Sequence, residues 1–383
     1  MTATLDRPLP VATPGADGRR LGFQPALEGL RWLAFVMVFL DHTRWLPNLA
    51  FGSVAMYVFF GLSGFLVTTQ LLAQGGARGR IDLRRFVSRR ARRLAPALGL
   101  FLGVWLVVVA LCSQSAWTTS TPGGGSGGPI DLFVALKGAI GAAGLLTNWL
   151  DILGLYGGRF PLGHLWFIAV QEQVYVLWLP LLAVLLLRAR RLVVPVALAL
   201  GAASLAEALV FMHDGTNWFR VYAGTDTRAA AILFGSVAAL WWADGRLDWL
   251  GRPIARAVGL VTAIAGLTWS LGALAARPAS WTRSAGWTVA TVAGPLLVVL
   301  LVLASRGTTT RALSSRLFVH LGSRSYALYL WHYMWLTWLA SAGVVGVVGA
   351  AAASLGSAEV SWRLVEQPAR RARRRSPLET RTG

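Results

Sequence analysis

Arg31 and His42 lie with ten residues between them in one apolar stretch, LEGLRWLAFVMVFLDHTRW, from Leu27 to Trp45. Wound as a helix at about 1.5 Å per residue, the stretch sets them roughly 16 Å apart along its axis. Near neutral pH an imidazole can take a proton from a hydroxyl, and a carboxylate can orient it. Asp41 adjoins His42, but neighbouring side chains on a helix point about 100° apart, so a carboxylate from another helix is the better orienting partner. The competing reading is an interfacial histidine hydrogen-bonded for structure. Arg31 suits a phosphate or carboxylate, or simply reaches for lipid headgroups.

Other reactive side chains cluster in short stretches. GHLWFIAVQEQVYVLWLP carries His164, Trp166, Gln171, Glu172, Gln173 and Tyr175. Glu172, as a carboxylate in an apolar helix, needs a partner or a water-filled cavity. YAGTDTRAAAILFGS brings Asp226 and Arg228, expected at the outer surface. SRSYALYLWHYMW sets Tyr326, Tyr329 and His332 three residues apart along one helical face. That stripe reads as a cavity lining or as an interfacial aromatic belt. Arg89, Arg90 and Arg93 precede Pro96 and suit donor phosphates, although they equally set topology. Gly61, Ser63 and Gly64 in FFGLSGFL suit close helix packing, and Glu207 has no obvious partner. There is no glycine-rich phosphate loop, zinc motif or GxSxG elbow, and no metal site is expected. Cys112 is the single cysteine, which excludes an internal disulfide.

These residues must be held by apolar helices. The 383-residue chain is 55% hydrophobic and only 14% charged, against about 25% charge in soluble domains. Its mean hydropathy is +0.57. The fold class expected is all-α, a polytopic membrane protein. Spans are predicted at 27–46, 52–72, 94–112, 164–187, 192–212, 226–243, 257–276, 285–304, 317–339 and 341–361. Arginine runs before the first span, between spans (Arg78 to Arg93, Arg188 to Arg191, Arg246 to Arg256, Arg306 to Arg316) and at the C-terminus give ten crossings with both termini cytoplasmic. Arg277 and Arg283 mildly break that rule. The segment 132–150 then begins and ends outside, as a re-entrant or protein-buried helix. Residues 1–26 read as a disordered cytoplasmic tail without a cleavable signal, and 363–383 as a basic tail against anionic headgroups. The net charge of +20 resides in those loop arginines, which argues against nucleic acid.

Taken in order, Arg31-x10-His42, Phe59 to Leu66, RRARRLAP at Arg89 to Pro96, HLW…EQVYVLW, GTDTRA at Gly224 to Ala229 and SYALYLWH at Ser325 to His332 resemble the acyltransferase-3 family of membrane-bound O-acyltransferases. The resemblance runs from Leu27 to about Arg370, with 27–362 as the membrane domain and no room for the SGNH domain some members add. It implies ten transmembrane helices, an acyl-CoA co-substrate (acetyl-CoA foremost) taken from the cytoplasm, and no bound cofactor. The acceptor it implies is a hydroxyl of a cell-envelope glycan, glycolipid or macrolide-like product. In the family the arginine–histidine pair is needed for activity, which maps to Arg31 and His42. Glu172 or Asp41 would assist His42, and Arg31, Arg89, Arg90 and Arg93 would hold the donor. His164, Trp166, Gln171, Gln173, Tyr175, Asp226, Arg228, Tyr326, Tyr329 and His332 would line the acceptor cavity. Four positions depart from the pattern: the usual acid falls at Gln171, one residue before Glu172, and Phe167, Val174 and Met334 stand where Ser, Phe and Pro are common. A bacterial inner membrane is the expected location. The rival function is proton-coupled transport or export of a sugar or metabolite, with His and Glu as relay groups.

Overall fold

The computed structural model describes residues 19–78, 81–111, 118–120, 126–157, 159, 161–276, 280–304 and 307–368. Arg80, Cys112, Arg277, Arg306, most of the N-terminal tail and the arginine tail from 369 lie outside the described residues, as does the side chain of Arg78. The described chain is helical apart from one antiparallel pair, β1 (Thr118–Ser120) with β2 (Ser126–Pro129), inside the stretch between the third span and 132–150.

Every stretch expected to span is helical. In chain order these helices are α1 Pro25–Thr43, α2 Phe51–Arg78, α3 Leu83–Leu111, α4 Leu132–Ala143, α5 Thr147–Ile152, α6 Trp166–Arg188, α7 Val193–His213, α8 Trp218–Ala223, α9 Thr225–Ala243, α10 Pro253–Ala275, α11 Trp281–Leu303, α12 Thr308–Leu313, α13 Arg316–Gly322, α14 Ser325–Leu339 and α15 Gly343–Ser361. Seven described helical stretches are long and apolar enough to cross a membrane: 51–75, 83–111, 163–188, 190–213, 253–275, 281–303 and 325–366. The last holds two helices joined by a 3₁₀ turn at Ala340–Ala342. α1 and α9 fall outside the seven because they carry Glu28, Arg31 and Asp41, and Asp226 and Arg228, among their apolar residues.

The expected boundaries shift in three places. The arginines before Pro96 are not a loop: α3 begins at Leu83 and runs through Pro96 without a break. The stretch 317–339 divides into α13 and α14. The stretch 132–150 is not one helix, since α4 has 12 residues, about 18 Å against the roughly 30 Å of a bilayer core. The chain then turns at Leu145, whose φ is +57°, into α5. Arg19, expected in a disordered tail, pairs with both oxygens of Asp248 at 2.5 and 2.7 Å.

The chain forms two compact units, Met1–Leu83 with Phe167–Gly322, and Arg84–Trp166 with Ser323–Gly383. In the first, α2, α9 and α11 pack at backbone contact. A Cβ on Gly64 would sit 1.9 Å from the Ile232 carbonyl oxygen, and one on Gly294 would sit 2.7 Å from that of Tyr57. The glycines of FFGLSGFL therefore serve packing, as small residues do between membrane helices. The start of α1 is clasped likewise, Gly29 lying against the Leu313 carbonyl and Gly322 against that of Glu28. Arg283 is buried, donating from Nε to the Leu274 carbonyl at 3.1 Å with its guanidinium 4.0 Å from the Trp218 ring centre. It is a packing residue.

Candidate active site

His42 occupies the last turn of α1, which ends where Arg44 takes a left-handed conformation at φ +58°. Carbonyls in a final helical turn lack intrahelical partners, and a histidine there can reach back to one. His42 Nδ1 does so, 2.9 Å from the Val38 carbonyl oxygen. A carbonyl only accepts, so Nδ1 carries the hydrogen, and the neutral ring presents its lone pair on Nε2. This main-chain contact holds the ring against its own helix. Asp41 Oδ1 instead accepts from the Gly52 N–H at 2.9 Å, fastening the end of α1 to the start of α2. At the other end of α1, Arg31 Nη1 donates to Glu28 at 2.6 Å.

Glu172 is buried and has the partner its position demands. Ser63 donates to Gln171 Oε1 at 2.6 Å, and Gln171 Nε2 lies 3.3 Å from Glu172 Oε1. The one-residue offset from the family pattern therefore places an amide and a carboxylate in contact. Gln173 accepts from the Thr225 hydroxyl, and Tyr175 is buried.

The GTDTRA stretch differs from expectation. Arg228 is 1% exposed rather than at the surface. Its Nε donates to the Tyr222 carbonyl at 2.6 Å, and its guanidinium lies 4.0, 4.6 and 5.0 Å from the ring centres of Trp287, Tyr222 and Tyr57. Such contacts stabilise a cation removed from water. Asp226 is held by both Nη atoms of Arg220, at 2.8 and 2.5 Å. The same guanidinium stands 3.9 Å from Glu207, which supplies the partner that acid lacked in sequence.

The second unit holds its own polar aromatic group. Tyr329 donates its hydroxyl to the His164 carbonyl, and Tyr326 donates to that of Leu94 at 3.1 Å. His332, fully buried, donates from Nδ1 to the Tyr329 carbonyl at 2.8 Å. The His164 ring is stacked on Tyr333 at 4.8 Å and lies 5.7 Å from that of His332. Phe101, Trp105, Pro161, Leu162, His164 and Met334 line a small cleft. The stripe on α14 thus lines an interior rather than an aromatic belt. Trp166 is buried at the start of α6. Arg89 and Arg93 share one face of α3 four residues apart, with Arg90 beside them. Among the described residues, no group of three or more His, Cys, Asp or Glu is set to hold a metal.

Sequence reasoning missed the Val38 carbonyl, Arg220, and the Tyr57 and Trp287 walls around Arg228. Main-chain acceptors leave no trace in side-chain spacing. Arg220 stood six residues before Asp226, outside the motif.

A multi-pass helical membrane protein with a histidine held through Nδ1 at a helix end and several buried charges is the class that fold and site define. The family model for the acyltransferase domain matches residues 24–358, and the chain belongs to the acyltransferase-3 family. It is similar to the peptidoglycan O-acetyltransferase OatA of Listeria monocytogenes, 26% identical over 91% of this chain and 56% of that protein. It is also similar to the O-acetyltransferase OatA of Staphylococcus aureus, 27% identical over 91% of this chain and 57% of that protein. The chain thus spans little more than half the length of these curated relatives. No solved structure matches it.

Proposed function

We propose that this chain is a membrane O-acyltransferase moving an acyl group, acetyl foremost, from cytoplasmic acyl-CoA to a hydroxyl of a cell-envelope glycan. The observation that carries the reading is the Nδ1–H of His42 on the Val38 carbonyl, which leaves Nε2 as a base within an apolar helix. In the step proposed, His42 Nε2 takes the acceptor's hydroxyl proton as the oxygen attacks the thioester carbonyl. The carbon–sulfur bond then breaks, and the proton passes to the departing thiolate. No charge is left in the membrane. The family and the relatives' names support acyl transfer to a glycan; the CoA donor rests on the resemblance.

Glu172, beside Gln171, or Asp41, fixed on the Gly52 N–H, is assigned to assist His42. Arg89, Arg90 and Arg93 are assigned to donor phosphates. Arg31 is assigned to the donor side as well, and its bond to Glu28 must open or be shared when it grips an anion. Arginine distribution supports ten crossings, both termini cytoplasmic, in a bacterial inner membrane. Titrating the purified chain with acetyl-CoA tests the donor: saturable binding is expected, weakened at least tenfold in an Arg89→Ala/Arg93→Ala variant. A chain that moves glycan across vesicles without binding acetyl-CoA would be a transporter, and the reading would fall.

A further inference from the structure

The turn between α4 and α6 contains a buried acid that takes no part in the proposed acyl-transfer step. Thr147 and Asp151 lie four residues apart on one face of α5, and Tyr156 follows in the turn Leu153–Gly157. Asp151 is 7% exposed, Tyr156 4% and Thr147 1%. Both carboxyl oxygens of Asp151, the Tyr156 hydroxyl and the Thr147 hydroxyl are buried without a hydrogen-bond partner in the described structure. Native interiors seldom leave such a group unsatisfied, and four atoms in ten residues call for an occupant.

Nearby main-chain donors do not fill the need. Leu153 N–H is committed to the Trp149 carbonyl, Gly154 N–H to that of Asp151, and Leu155 N–H to that of Leu150. The segment is braced from outside: Arg159 donates to Asp131 at 3.0 Å, and Asp131 also caps Val134 at 2.8 Å. Space for the phenol is built in, since a Cβ on Gly141 would stand 2.2 Å from the Tyr156 hydroxyl. The turn bends at Gly154 and Gly157, both at positive φ with nothing within 4 Å of an added Cβ, so it has room to move as a ligand enters. Burial without a compensating cation pushes the Asp151 carboxyl up to about 8, so at neutral pH it can donate as well as accept.

We propose that Thr147, Asp151 and Tyr156 form a subsite for hydroxyl groups of the acceptor glycan. A carboxyl and two hydroxyls supply both donors and acceptors for sugar hydroxyls, and offer too few charged oxygens for a calcium or magnesium ion. The proposal rests on the reading that the acceptor is a glycan, and on the arginine pattern that puts this turn on the outer face.

The probe is the β-1,4-linked tetramer of N-acetylglucosamine, titrated calorimetrically into the full chain in lipid nanodiscs. The parent should bind it. Tyr156→Phe and Thr147→Val should each weaken binding about threefold to tenfold, the range of one neutral hydrogen bond. Asp151→Asn, which keeps a donor and an acceptor, should stay within threefold, while Asp151→Leu should lose binding. Acetyl-CoA affinity and melting temperature of the two conservative variants, Tyr156→Phe and Thr147→Val, should match the parent. The subsite is overturned if the parent does not bind the tetramer, or if folded variants bind it as tightly as the parent, as buried water alone would allow. If glycan binding behaves as stated but acetyl-CoA never binds, the acyl-transfer reading fails and the subsite stands.

Discussion

His42 and His332 use the same device in different surroundings. Each donates Nδ1–H to a carbonyl on its own helix, four and three residues back, and so each fixes Nε2 as the basic nitrogen. His42 is only half-buried, beside a carboxylate at a helix end. His332 is wholly buried among Tyr329, His164 and Tyr333, in a helix with Phe101 packed on Trp331. A fixed tautomer is therefore not enough to make a base. The ring must also be reachable by the hydroxyl it deprotonates, and it must be able to bear a charge for an instant. In the mechanism proposed that role falls to His42, which is half-buried, and not to His332, which is fully buried.

The comparison breaks most sharply under truncation. His42→Ala should lower transfer about 10²- to 10⁴-fold, the range of a general base, while its melting temperature stays within a few degrees of the parent. His332→Ala should do the reverse, losing about 2–4 kcal/mol of stability as a buried ring leaves a cavity, with activity following the folded fraction. Thermal melts beside turnover assays check both. If His332→Ala is stable but inactive, the two histidines share the chemistry and the contrast is wrong.

A smaller effect concerns acids. Asp151 titrates near 8 in the folded chain against an ordinary 3.8, so its neutral form stabilises the fold fully below about pH 4. That contribution is lost as pH rises toward 8, because the unfolded chain then holds fewer protons than the folded one. Melting curves across that window should flatten in Asp151→Asn, which should be the more stable protein at pH 8. Smaller still, Asp41→Asn keeps an acceptor for the Gly52 N–H and should cost less than about fivefold in turnover, the scale of one weak electrostatic contact. A hundredfold loss would make Asp41 the orienting acid after all.

Much of the helical fold was legible in the sequence because apolar runs obey lipid solvation directly. Where it misled, tertiary contact had overridden the pattern. Arg228 was expected at the outer surface, yet aromatic rings from α2, α8 and α11 surround it, and Arg283, which mildly breaks the arginine rule, lies against Trp218. The segment 132–150 is apolar throughout, and only the backbone at Leu145 reveals that it breaks. Within the site, residue types were legible but their partners were not. His42 stood out by its isolation in an apolar helix, whereas Val38 contributes only a carbonyl. Asp151 drew no notice because one acid after a hydrophobic run looks like a helix end.

The central claim is covalent transfer from a CoA thioester. The direct measurement supplies the purified chain in nanodiscs with acetyl-CoA labelled in the acetyl group and a soluble glycan, then counts CoA released and ester formed. The account predicts one glycan ester for each CoA released, and at least about a hundredfold less of both from His42→Ala. Glycan that emerges unlabelled with CoA unconsumed, or ester formation undiminished in His42→Ala, would contradict it.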